Sequence, residues 1–288
     1  MNSKQRGFIA GEAIQSSRLD SALAELFPET PRSVWKKRII KEEILVDGSS
    51  STPAYKLKIG DAVTIVDIVQ ERAVVNIPVL YEDDDVIVIN KPAGVLSHAK
   101  SSEIDEVTVA SYFADRIEDS LTNSRAGIVH RLDRDTSGVM VIARTKSTLD
   151  YLQKQFANRT VEKTYVAVVS GKPKDKEAIL KWPIERNPKQ PSTFRVGAQG
   201  KPAETYYQIV KSSAKHSFLE LKPKTGRTHQ LRVHLKELGY PIVGDRLYGR
   251  ESGTRLMLHA QRVCLAIKHD DYRCFEADLP PDFEELLA

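Results

Sequence analysis

Leu19, Ala22, Leu23 and Leu26 recur at the i, i+3, i+4, i+7 spacing that lines one face of a helix, which predicts a short helix there. Pro28 and Pro31 end it, and Pro31 with Ser33 opens a second helix. That helix carries Arg32, Lys36, Lys37, Arg38 and Lys41 with no acid among them. ILVDG at 44–48 predicts a strand entering a turn, and Gly60-Asp61 predicts another turn ahead of the strand AVTIV. Two helices and a few strands over residues 18–70 make a unit too small for a deep active site, so it reads as a docking module. A polar tail, 1–17, precedes it and a linker, 71–80, follows.

From residue 81 onward strands dominate. VIVIN at 86–90, VMVIA at 139–143, TYVAVV at 164–169, AETYYQIV at 203–210 and SFLEL at 217–221 are apolar or alternating runs of strand length. Helices intervene at 147–158, where Leu149, Leu152 and Phe156 share a face, and from Thr228, a candidate N-cap, to Gly239, a candidate C-cap. Strands outnumber helices without strict βαβ alternation. The fold class expected is therefore α+β: a mostly antiparallel mixed sheet at 81–288, with the small α/β unit before it. The Pro-, Lys- and Gly-rich stretch 172–202 is expected to be long loops.

Composition narrows the class. The 288 residues are 41% hydrophobic and 28% charged, an ordinary globular mixture that argues against a disordered or fibrous chain. No apolar run reaches the roughly 18 residues of a membrane span, and MNSKQRGFIAGEAIQ lacks the apolar core of a secretory signal, so a cytoplasmic protein without a membrane partner is expected. Cys264 and Cys274 form no CxxC arrangement and are expected to be buried, reduced thiols. The net charge of +4 decides little, whereas the acid-free run Arg32–Lys41 is a candidate phosphate-binding patch. A solvated helix face accounts for such a run equally well.

The densest polar cluster is His130-Arg131-Leu132-Asp133-Arg134-Asp135-Thr136-Ser137-Gly138, set between the apolar segments GIV and VMVIA. A surface turn bonding its own backbone would explain it. The sharper reading is a carboxylate, Asp133, presented at a strand end between Arg131 and Arg134, whose guanidinium groups keep it ionised and nucleophilic.

HRLDRDTSG resembles the signature of the RluA-type pseudouridine synthases, and it does not stand alone. INKPAGVLSH at 89–98, EKTYVAVVSG at 162–171, KTGRTHQLRVHLKELGYPIVGDRLYG at 224–249 and RLMLHAQRVCL at 255–265 follow the same family's order. The sister family usually has GRLD where His130 stands and lacks HQLRVH. At the N-terminus, RLDSALAELFP, the basic helix and the ILVDG turn resemble the alpha-L RNA-binding domain that members acting on large-subunit ribosomal RNA often carry. PRSVWKKRIIKEE departs from that domain's common Ser-Arg-Ser opening.

The resemblance implies conversion of uridine to pseudouridine in structured RNA, ribosomal RNA rather than tRNA, by a monomer that needs no cofactor or metal. It makes Asp133 the nucleophile, Tyr165 the ring stacked under a flipped uracil, and Arg227 the partner of the aspartate, with Arg232 the fallback in the same motif. Arg131 corresponds to the side chain that fills the space of the extruded base. His130, Arg134, Thr136, Leu231 and Arg232 are the further substrate contacts it implies, and Arg32, Lys36, Lys37, Arg38 and Lys41 the RNA contacts. The i, i+5 spacing of His229 and His234 does not place both rings on one helix face, which argues against zinc. A tRNA-directed synthase and a catalytically silent RNA-binding assembly factor remain the alternatives. A glycoside hydrolase would need a second carboxylate across the bond, and Asp135 is poorly placed for that.

Overall fold

The computed structural model describes residues 5–66, 75–99, 106–121 and 125–286. The chain divides into two compact units, Met1–Val75 and Asn76–Ala288. In the first, strands β1 (Gln5–Ile9), β2 (Ile44–Val46), β3 (Ser49–Ser50) and β4 (Ala62–Val66) form an antiparallel sheet in the order β1-β4-β2-β3. Helices α1 (Leu19–Leu26) and α2 (Arg32–Ile40) cover it, burying Leu19, Leu23, Trp35 and Ile39 against Ile44, Val63 and Ile65. The expected tail therefore contains a strand: Phe8 and Gly7 pair with Val63 and Thr64, because the free edge of β4 accepts a fourth strand. Of the expected linker, 71–74 lie outside the described residues, and its last positions enter the next strand.

The second unit is a sheet of β5 (Val79–Glu82), β6 (Val86–Lys91), β7 (Ser137–Ala143), β8 (Glu162–Ser170), β9 (Glu177–Leu180), β12 (Thr205–Ser212), β13 (His216–Pro223), β14 (Leu258–Lys268) and β15 (Asp271–Glu276), with β10 (Ile184–Arg186) and β11 (Phe194–Val196) as a separate hairpin. Its order is β5-β6-β7-β14-β8-β13-β12-β9, β15 pairing with β14. Every pairing is antiparallel except β7 with β14. That parallel contact brings Gly138 against Ala260 at φ 116°, where any Cβ would run into the Ala260 backbone. Glycine there lets the segment after Asp133 enter the sheet's centre. Helices α3 (Val109–Tyr112), α4 (Lys146–Asn158), α5 (Gln230–Glu237) and α6 (Asp282–Glu285) complete the unit. Leu152 of α4 joins the core with Val139, Val141 and Leu265, and Leu235 of α5 joins Val168, Leu219 and Leu221.

Three expectations change. The stretch 172–202 holds β9, β10 and β11, short strands whose runs of three or four residues are too brief to stand out among Pro and Lys. Cys264 and Cys274 are not thiols but a disulfide, since the hairpin of β14 and β15 sets them directly opposite each other. Helix α5 begins at Gln230 rather than after a Thr228 cap: His229 precedes it in the left-handed conformation, and no side chain caps the helix.

Candidate active site

Asp133 sits on the loop between Val129 and β7, and that loop is fastened from behind. Leu132 is buried, its N–H donates to Ser97 Oγ at 3.1 Å, and the Ser97 hydroxyl donates back to the Leu132 carbonyl at 2.9 Å. Lys91, fully buried at the end of β6, donates from Nζ to the carbonyls of Pro92, Val95 and Arg134. Burial lowers its pKa to about 7 although Asp133 and Asp135 pull the other way. The loop closes on itself through Thr136 N–H to the Asp133 carbonyl at 3.1 Å.

The carboxylate meets its cation on helix α5. Arg232 of α5 places Nη1 3.4 Å from Asp133 Oδ2 and holds Asp245 with two bonds of 2.7 Å, from Nε and Nη2. Arg232 and Asp245 are each 4% exposed. Burial opposes the arginine's charge, and the Asp245 hydrogen bonds and charge outweigh it, moving the guanidinium above its ordinary pKa. Asp245 is itself held by the N–H groups of Leu247 and Tyr248 at 3.0 and 3.1 Å.

Arg227, expected to be this partner, instead donates Nε to the Pro202 carbonyl at 3.1 Å, so the fallback Arg232 is the one that faces Asp133. The reason is local. Gln230 accepts from Arg227 N–H and Thr225 Oγ1 while donating to Glu204 O and Thr205 Oγ1, which pins the Thr225–Arg227 loop on the outer side of the helix start. Nor do Arg131 and Arg134 sandwich the aspartate. Arg134 pairs with Glu106 at 2.9 Å, and Arg131 stands exposed on the cavity rim.

The cavity in front of Asp133 holds about 420 Å³. Tyr165 of β8, half-buried and paired in register with Leu221 and Ala260, forms one wall. Burial, and then the charge of Asp133, pushes its phenol above the ordinary value. Thr136, Leu231 and Leu258 supply buried surface. His130 also lines it, with Nε2 accepting from Val141 N–H at 3.1 Å and the ring stacked on Phe156 at 4.7 Å. Burial and then Lys163 lower its pKa to about 3, so it stays neutral. His234 faces away from the cavity, Nδ1 on Thr205 Oγ1 and Nε2 on the Trp182 carbonyl, both 3.0 Å. Among the described residues no three His, Cys, Asp or Glu side chains cluster as metal ligands, and no helix is long and apolar enough to cross a membrane. Across the loop Gly226–Thr228 lies a second groove of about 460 Å³, bordered by Arg186, Phe194 and Lys201.

On α2 the charges are placed differently. Arg32 donates to buried Asp20 at 3.1 Å together with Arg18, and Arg38 pairs with Glu43 at 2.9 Å over the Trp35 ring. Lys36, Lys37 and Lys41 are exposed. Three residues that matter to this geometry escaped the sequence reading: Gln230, Asp245 and Tyr248. The only available signal was their presence in the long segment 224–249.

Residues 85–237, spanning Asp133, Tyr165 and Arg232, match the family model for RNA pseudouridylate synthase. The chain belongs to the RNA pseudouridylate synthase family. It is accordingly an isomerase that acts on uridine in RNA. It is 40% identical to a ribosomal large subunit pseudouridine synthase D of Borreliella burgdorferi over 74% of this chain and 69% of that protein. With its namesake from Nitrosomonas europaea it shares 34% identity over 94% of this chain and 83% of the other. The fold resembles that of human RNA pseudouridylate synthase domain containing 1, with 29% identity, a TM-score of 0.59, and 74% and 86% of the two chains covered.

Proposed function

We propose that this synthase isomerises specific uridines of large-subunit ribosomal RNA, with Asp133 as nucleophile. The observation that carries the reading is the carboxylate lining a nucleoside-sized cavity and facing an arginine that a second, buried carboxylate holds in place. Isomerisation breaks the bond from ribose C1′ to uracil N1 and forms one from C1′ to C5; C5 gives up its hydrogen and N1 gains one. No electrons are gained or lost, so one carboxylate and a shaped pocket suffice. The uridine leaves its stack at a cost of a few kcal/mol, which stacking on Tyr165 offsets. Arg131, exposed at the rim, takes over part of the space the base vacates.

Ribosomal RNA is favoured over tRNA by two things: what the relatives' names say they modify, and the basic helix α2. Lys36, Lys37 and Lys41 offer unburied cations to phosphates, in a unit that resembles an RNA-binding domain. Within the second unit, Arg186 and Lys201 border a groove beside the cavity and offer cations to the strand that flanks the target uridine. The reading includes a monomer working in the cytoplasm.

Deleting the gene and mapping pseudouridines by carbodiimide-dependent primer extension tests it. One or more large-subunit sites should disappear, and return with the wild-type chain but not with Asp133→Asn. Losses confined to tRNA, or none at all, would overturn the substrate assignment.

A further inference from the structure

His229 enters α5 at φ 56° and ψ 18°, a left-handed backbone state that is uncommon outside Gly, Asn, Asp and His. The conformation sets its ring between two fixed groups. Nδ1 lies 2.8 Å from the Tyr248 hydroxyl, and Nε2 lies 3.9 Å from Asp133 Oδ2. Phe194 and Tyr248 flank the imidazole edge-on at 5.5 and 5.6 Å.

The phenol bears on the tautomer. Phe194 N–H donates into the Tyr248 oxygen at 2.8 Å, and His229 Nδ1 is the acceptor within reach of the hydroxyl's own proton; with that proton on Nδ1, the histidine's proton falls on Nε2, on the side of the carboxylate. Tyr248 is placed by its N–H on Asp245, the same residue that grips Arg232. One short turn, Asp245–Tyr248, thus aims two donors from different residues at a single oxygen of Asp133.

We propose that His229 is a positioning residue of the isomerisation. Its Nε2–H closes on Asp133 Oδ2 when RNA fills the cavity, shares that oxygen with Arg232, and leaves Oδ1 to face the nucleoside; Tyr248 acts only through the tautomer it imposes. Hydrogen bonds among catalytic groups are often long in the unliganded state and tighten on the substrate. The inference rests on Asp133 being the catalytic carboxylate.

The test uses the full chain, with single-turnover rates on a ribosomal RNA substrate and RNA affinity measured separately. His229→Ala should lower the rate about 30-fold, below the roughly 10²–10³-fold for losing a donor aimed at the reacting atom itself, with affinity unchanged within about twofold. His229→Gln, whose amide can present an N–H near the position of Nε2, should recover most of the loss. Tyr248→Phe should slow the wild type about tenfold yet add nothing to His229→Ala, because the two act as one unit. A rate for His229→Ala within twofold of wild type, a glutamine no better than the alanine, or additive effects of Tyr248→Phe would each overturn the proposal. Asp133→Asn, run alongside, separates the two levels. If it stays active the reading of Asp133 fails, and if it is inactive while His229→Ala is unimpaired only the role of His229 fails.

Discussion

Arg232 on α5 and Arg38 on α2 each sit on a helix of the same order of length and pair with a carboxylate, yet their surroundings differ. The side chains of Arg232 and Asp245 are 5% and 0% exposed, against 25% and 18% for Arg38 and Glu43. Removing one partner of a buried pair strands a charge and costs about 3–5 kcal/mol, whereas partly exposed pairs contribute about 0–1 kcal/mol. The cavity therefore holds its charges in one geometry, as chemistry on a single atom requires. The lysines of the basic run are exposed instead, and on the proposed reading their contacts to phosphates would depend on salt and not on exact placement. On the proposed reading, position fixed by burial serves the reaction and exposed charge serves the encounter with RNA.

Among variants that retain Asp133, the largest effect should come from Arg232. Arg232→Ala should slow single-turnover isomerisation by about 10²–10³-fold, and Arg227→Ala, which frees only the Pro202 carbonyl, by less than about tenfold. Equal losses would erase the distinction between a pinned and a peripheral arginine.

The two units should also part company in acid. All seven histidines, the first of them His98, lie in the second unit. Burial lowers His130 to about 3 and His259 to about 4, so the folded state keeps both neutral while the unfolded chain protonates them below about pH 6.5. The unfolded state then binds more protons, and stability falls as the pH drops through that window, by about 2 kcal/mol per histidine between pH 7 and pH 5. Trp35 reports the first unit and Trp182 the second, so urea melts of Trp182→Phe and Trp35→Phe variants read each separately. A pH-independent Trp182 transition would contradict buried neutral histidines.

A smaller loss is expected at the cavity wall. Tyr165→Ala should cost about 1–3 kcal/mol in stacking, and Tyr165→Phe little. Equal losses would make the hydroxyl, not the ring, the working part. The smallest effect belongs to α2: changing Lys36, Lys37 and Lys41 to Ala should leave turnover at saturating RNA unchanged and flatten the salt dependence of binding by about 2–3 units of log–log slope. An unaltered slope would remove α2 from the interface.

What could be read from the chain and what could not divides along physical lines. The strands VIVIN and VMVIA are unbroken apolar runs of strand length, and helix 147–158 repeats apolar residues at the helical period, so local pattern was enough. Asp133 stood out in the chain because a dense polar run between two apolar segments needs a reason. Its partner did not, since Arg227 and Arg232 stand in one motif and only the Gln230 hydrogen bonds decide which of them turns inward. The Cys264–Cys274 bond depends on the register of a hairpin, which no spacing in the chain states. Asp245 and Tyr248 act from a turn remote from the nucleophile's own loop, and nothing local marks them.

The most direct test of the central claim is hydrogen release from C5. RNA carrying uridine tritiated at C5 loses that label when pseudouridine forms, and Asp133→Asn removes one carboxylate charge with little change of volume. Under single-turnover conditions the variant should release no tritium while binding the RNA as tightly as the wild type. Release at even a tenth of the wild-type rate would contradict Asp133 as the nucleophile.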